Sequence, residues 1–128
     1  MRLAITVWRG CVSPLFEAAG SLLLVRLGPS AELDRIQIRL SDRSPAARAQ
    51  LLWLEKVELL ICGALSRSVQ RMLEANGIRV IGWIRGEVEE VLAAFDQGRL
   101  DQACYQLPGG RRQRQRRRGG NNGRRQGA

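Results

Sequence analysis

Two short stretches of this chain bring together residue types that could do chemistry. One is Arg9-Gly10-Cys11-Val12-Ser13-Pro14-Leu15-Phe16, and the other is Cys62-Gly63-Ala64-Leu65-Ser66-Arg67. Thiolates are soft ligands that suit iron–sulfur and molybdenum–sulfur units. Backbone N–H groups from Gly63 through Arg67, at the start of a helix, suit an anion. Ser66 would add a donor and Arg67 a positive charge. Cys11, Ser13, Phe16, Cys62, Gly63, Ser66 and Arg67 could thus line a shallow site for an anionic, sulfur-rich group. Plainer readings stand beside this one. Cys62 ends an apolar run, and an unbridged cysteine there is often only a small buried hydrophobe. Cys11 could be an ordinary loop residue. Phe16, with Trp8, Trp53 and Trp83, could wall an apolar pocket or simply pack in the core and its rim. Two thiolates cannot complete a tetrahedral cage, which argues against structural zinc.

The chain has no histidine. Ser–His–Asp and Cys–His catalysis are therefore excluded, as are imidazole-ligated metal sites. Glu87, Glu89 and Glu90 cluster, but they fall where a helix begins and its dipole favours anions. No second carboxylate group is spaced to complete acid–base work. Metal-dependent nuclease chemistry needs several carboxylates at strand ends, and the strand ends here carry Trp8, Cys62 and Trp83. The sequence reads as a binding protein and not an enzyme.

The elements that must position these residues centre on Val57 to Gly77. Leu59-Leu60-Ile61-Cys62 is a short apolar run closed by glycine, as expected of a strand buried on both faces. Ser66 is a good N-cap. Val69, Met72 and Leu73 recur at helical spacing, and Gly77 can take the left-handed conformation that ends a helix. Ile78-Arg79-Val80-Ile81 follows as a second buried strand. This strand–helix–strand crossover forces two parallel neighbours. Its first turn, Cys62-Gly63, lies at the carboxyl end of a strand, where open α/β sheets place ligands.

Upstream, Arg2 to Trp8 reads as a strand with Leu3, Ile5 and Val7 on one face. Ser21 to Leu27 is a second strand, and Gly28-Pro29-Ser30 marks a turn. Arg35 to Leu40 alternates like a half-exposed strand. Short connections suggest an antiparallel meander. Ser44-Pro45 opens a helix with Ala47, Leu51 and Leu54 inward. Gly86 to Phe95 is the last helix, with Val88, Val91, Leu92 and Phe95 inward. The order is βββαβαβα, which implies an α/β fold with a mixed five-stranded sheet and helices on both faces.

The 128 residues suit one domain plus an extension. Eight of the 21 basic residues fall in 111–128 with no acid, which leaves 13 basic against 12 acidic residues elsewhere. The basic character thus belongs to the tail. We expect a domain over 1–107 and a disordered Arg/Gly-rich tail over 108–128, too polar to bury surface. The stretch from Arg111 to Arg125 resembles segments that bind nucleic acid through charge. It could equally attract a polyanion or an acidic partner. Three unpaired-looking cysteines and no apolar export segment point to a reducing cytoplasm. No apolar run approaches the roughly 18 residues that cross a membrane.

Four segments, in order, resemble the dinitrogenase iron–molybdenum cofactor biosynthesis family, which includes small nitrogenase accessory factors and the orange protein. They are Val12-Ser13-Pro14-Leu15-Phe16 after the first strand, Val57 to Ser66, Leu73-Glu74-Ala75-Asn76-Gly77-Ile78-Arg79-Val80, and Gly86-Glu87-Val88-Glu89-Glu90-Val91-Leu92. The resemblance runs from Met1 to about Leu100. It implies a three-layer α/β/α fold of ribonuclease H-like type. It also implies a non-enzymatic carrier of an anionic metal–sulfur cluster, of iron–molybdenum-cofactor or molybdenum–copper sulfide type. Cys11 and Cys62 would be the metal-directed sulfurs. Partners implied are a metallocluster donor or acceptor protein and a P-loop ATPase. Many family members carry histidine where this chain has Leu15. That departure keeps open an interaction module without a cluster, and a nucleic-acid binder acting through the tail.

Overall fold

The strand Arg2–Trp8 (β1) is apolar on both faces, and a strand of that kind has to be covered on both. The computed structural model describes residues 1–41 and 44–108 and places β1 at the centre of the sheet. The other elements are β2 (Cys11–Val12), β3 (Ser21–Leu27), β4 (Glu32–Arg39), α1 (Pro45–Leu54), β5 (Leu59–Ile61), α2 (Arg67–Ala75), β6 (Arg79–Ile81) and α3 (Val88–Asp96). The sheet runs β4-β3-β1-β5-β6. β4, β3 and β1 are antiparallel neighbours, whereas β1, β5 and β6 are parallel. The expected meander and crossover are both present, in one mixed sheet.

Five strands were expected, and the described sheet has six. The extra one, β2, is two residues long and folds back on β1, with Val12 opposite Val7 and Cys11 opposite Trp8. The connecting residues Arg9 and Gly10 both have positive φ, 52° and 81°. That is the turn chirality that matches the twist of a tight hairpin. A two-residue strand is too short to show alternation.

Successive residues of β1 feed opposite cores, as the period of two requires. Ala4 joins Leu22, Leu24, Leu60 and the inner residues of α1 and α2. Leu3 and Ile5 join Leu23, Val25, Leu59, Ile61 and the inner residues of α3. The result is the anticipated three-layer arrangement. Gly77 ends α2 with φ 81°, as its type suggested.

Two local expectations shift. The inward stripe of α1 is Arg48, Ala49 and Leu52, and Leu54 is exposed. The helix is turned by about one position because the Arg48 guanidinium is drawn inward, donating to the carbonyls of Phe16 and Ala19 at 2.9 and 3.0 Å. β4 begins three residues before Arg35 and is exposed along almost its whole length. It is the outermost strand, and the helices cover only the centre of the sheet beside it. Arg35 ties it to the third layer through an ion pair with Glu89 on α3 at 2.6 Å, and pairs along the strand with Glu32 at 2.7 Å. The hydrogen bond to Arg35 holds the Glu32 carboxyl below its ordinary range.

Among the described residues, no helix is long and apolar enough to cross a membrane. Of the tail expected over 108–128, all from residue 109 onward lies outside the described residues.

β5 supplies only three residues, all buried. Leu60 is fully buried in the core beneath α1 and α2. Truncating it leaves a cavity that a short strand between two neighbours cannot collapse into. Leu60→Ala is expected to destabilise by about 3 kcal/mol, measured by urea unfolding.

Candidate functional site

β1, β5 and β6 are parallel, so their carboxyl ends share one edge. Three loops meet there: β2 with the loop to Phe16, the turn from β5 into α2, and the turn from β6 into α3. Backbone pairing fixes them to one another. The Ala64 N–H donates to the Pro14 carbonyl at 2.8 Å, and the Phe16 N–H donates to the Ala64 carbonyl at 2.9 Å. Leu15 and Ala64 form a parallel bridge. On the other side, the Val12 N–H donates to Gly86, the Val88 N–H to Gly10, and Cys11 bridges Glu87.

Glycine at position 63 is what lets the first loop seat so closely. A Cβ there would collide with the backbone carbonyls of Ser13 and Pro14. Ser13 is itself buried. Its N–H donates to Thr6 and its hydroxyl donates to the Leu15 carbonyl at 2.8 Å. Its role is to shape the loop. Phe16 is likewise buried in the core, beneath α1 and α2. Arg48 anchors that end of the loop from below, through the carbonyls of Phe16 and Ala19.

The second loop delivers a helix start. The Ser66 hydroxyl accepts from the Val69 N–H at 3.2 Å and caps α2. The first-turn N–H groups of Arg67 and Ser68 have no acceptor within a helix, by geometry. Ser66, Arg67 and Ser68 are exposed, as are Pro14 and Leu15 across from them. Arg9 and Arg85, on the neighbouring loops, are exposed too, as are Glu17 and Glu87. Arg9 stacks over the Trp8 ring at 5.2 Å.

The two candidate sulfurs differ in access. Cys11 is half-buried and Cys62 has no exposed surface. None of the three cysteines is in a disulfide. Among the described residues, no three His, Cys, Asp or Glu side chains are grouped to hold a metal ion.

The third loop carries the oddest backbone. Trp83 has φ 63°, a region that a bulky side chain rarely adopts and that often marks functional sites. It is clamped there by its N–H donating to Gly63 and by its carbonyl accepting from Leu107, both at 2.9 Å. Its indole N–H is buried without a hydrogen-bond partner among the described residues, and so is the Thr6 hydroxyl. Trp53 does not join this edge. It sits in the last turn of α1, whose connection leads to the opposite end of the sheet, where the Glu58 N–H donates to Arg2.

Sequence reasoning placed the Cys11–Phe16 loop and the Cys62–Arg67 turn but missed three components. One is Arg48, whose burial in an amphipathic helix has no distinct sequence signal. Another is Leu15 as a bridging residue. The third is the segment 105–107, which pairs with 83–85. Its proximity could not be read from its polar sequence.

The family profile of the dinitrogenase iron-molybdenum cofactor group matches residues 1–98, and the chain belongs to that family. No curated protein sequence matches the chain. Several solved structures share the fold. The PH0822 protein superposes with a TM-score of 0.70 at 19% identity, over 77% of this chain and 92% of that one. The MJ0327 protein of Methanocaldococcus jannaschii gives 0.63 at 20% identity, over 77% and 90%. The apo form of the orange protein from Desulfovibrio gigas gives 0.64 at 23% identity, over 82% and 94%.

The seating of the loop on Gly63 can be tested directly. Gly63→Ala is expected to destabilise by about 2 kcal/mol, because a backbone has to move. Amide shifts should change most at Ser13 to Phe16. A neutral effect confined to residue 63 would show that the loop is not seated on it.

Proposed function

We propose that this chain is a non-enzymatic carrier that holds an anionic metal–sulfur cluster as cargo at the carboxyl edge of its sheet. The cluster is of iron–molybdenum-cofactor or molybdenum–copper sulfide type, and it passes between a donor and an acceptor protein of metallocluster assembly. The observation that carries this is the pairing of Leu15 with Ala64. It brings the Cys11–Phe16 loop beside the exposed amino end of α2, within a family whose profile names the iron–molybdenum cofactor.

The residues support capture without a full ligand cage. Arg67 and the amides that open α2 offer positive potential to an anion. Of the two thiols at this edge Cys11 is the more accessible, and it is assigned the contact with the cargo. Cys62 and Gly63 underlie the turn, while Ser13 and Phe16 hold the facing loop in shape. Ser66 spends its hydroxyl on the helix cap and positions Arg67. The Ala64 amide, already bonded to Pro14, is not available to the cargo. Leu15 is 55% exposed and offers the cargo no ligand. Retention therefore rests on charge and shape more than on coordination.

The proposal extends to a cytoplasmic setting, a P-loop ATPase as an accompanying partner, and a domain over 1–107 that acts without the residues beyond it. The basic stretch Arg111 to Arg125 is then a secondary anion collector, for nucleic acid among others, and not the cargo site.

Anaerobic reconstitution with thiomolybdate, with and without copper or iron, tests this on the full chain and on a chain ending at Pro108. Stoichiometric metal and visible absorbance are expected in both. Arg67→Glu should weaken retention about tenfold, equivalent to ~1.4 kcal/mol, and Cys11→Ser should alter the absorption spectrum. Colour in the full chain alone would assign binding to the tail. Metal retained by neither chain would leave the fold as a protein-interaction module.

A further inference from the structure

β4 is an eight-residue outer strand with no strand beyond it among the described residues. The direction of its backbone groups follows from the pairing of its neighbour. Met1 and Leu27 exchange hydrogen bonds, and the Leu40 N–H donates to Gly20. In an antiparallel ladder this alternation continues. Odd-numbered residues of β3 therefore bond to β1 and even-numbered ones to β4. Asp34, Ile36 and Ile38 turn their N–H and C=O groups toward β3. Arg35, Gln37 and Arg39 turn theirs outward, where the described residues supply no strand to receive them. Such an edge is a template for another strand.

The side chains of β4 say which strand fits. Ile36 is 60% exposed and lies opposite Leu24, on the face covered further in by α1. Its charged neighbours are already paired within the chain. Asp34 holds Arg26 at 2.7 Å, and Arg35 is shared by Glu32 and Glu89. They would not have to give up these partners to admit a neighbour at the outer edge.

We propose that β4 pairs edge to edge, antiparallel, with β4 of a second copy of this chain, so that one sheet runs through the dimer. Residues directly opposite in such a pair must share a face, which permits only alternate registers. Centring the pair on Arg35 opposes Arg35 to itself. Centring it on Gln37 opposes Arg35 to Arg39, and centring it on Asp34 opposes two carboxylates. The longest overlap that opposes no like charges is centred on Ile36. There Arg35 faces Gln37 of the second copy, and these two residues exchange the outward hydrogen bonds. Asp34 faces Ile38. Ile36 meets its own copy at a non-hydrogen-bonded position, where side chains approach closest. The register shift between Arg26 and Leu27 distorts β4 beyond Asp34 and limits the ladder at that end. A contact this small gives a concentration-dependent dimer.

Sedimentation of the full chain over a concentration series should show monomer and dimer in exchange. Ile36→Lys places two ammonium groups face to face and should weaken the dimer at least tenfold. Because position 36 is exposed, its circular dichroism and Tm should match the parent. Ile36→Cys should give a disulfide-linked dimer under mild oxidation, since facing Cα atoms about 4.5 Å apart lie within disulfide reach. With the exposed Cys104 replaced by serine in every chain, the parent and Ile38→Cys should not. A monomer at every concentration overturns the proposal. So does a dimer that survives Ile36→Lys and does not cross-link through Ile36→Cys. Efficient cross-linking through Ile38→Cys in its place overturns the register.

Discussion

The carboxyl edge of this protein depends on one close approach between backbones. The carbonyls of Ser13 and Pro14 lie where any side chain at position 63 would have to be. That contact brings a loop from the antiparallel half of the sheet onto a turn from the parallel half. The hydrogen bonds between Pro14, Ala64 and Phe16 follow from it, and so does the placement of Leu15 beside the start of α2. The Gly63 carbonyl in turn receives the Trp83 amide, so the third loop is hung from the same residue. Buried polar groups settle the remainder. Arg48 and Ser13 both spend their donors on loop carbonyls, which fixes the loop without exposing an unsatisfied acceptor.

The same economy limits what the edge can offer a ligand. Hydroxyls and amides that look available in the sequence are already engaged in holding the loops together. What faces solvent is a helix start with Arg67, flanked by Arg9, Arg85, Glu17, Glu87, the half-buried Cys11 and the apolar Leu15. The field of a helix start favours anions, whereas the two carboxylates oppose them.

Much of the scaffold was legible because period and punctuation agree in the chain. Leu59 to Ile61, the Ser66 cap, the Val69–Leu73 stripe and Gly77 specify the crossover together, and the structure has each in place. The short connections between the first three long strands pointed to the meander. What stayed hidden depended on tertiary contact. A buried arginine inverts the hydrophobicity rule, so the inward face of α1 was set one position off. Exposure of β4 follows from its place at the end of the strand order, which alternation cannot report. The difference in access between Cys11 and Cys62 likewise comes from where the two loops stack and not from either local sequence.

The position of β1 has a consequence for how the molecule comes to be folded. It borders β3, which follows within a short stretch of chain, and β5, which arrives only after β4 and α1. The antiparallel half therefore closes through local contacts, while the parallel half waits on a much longer loop. Until Leu59–Ile61 is in place, β1 keeps one bare edge and both of its apolar faces lack part of their cover. Neither half owns a complete core, because Ala4 serves one layer and Leu3 and Ile5 the other. The strand made first is thus the one completed last, and the domain is committed to folding as a single cooperative unit.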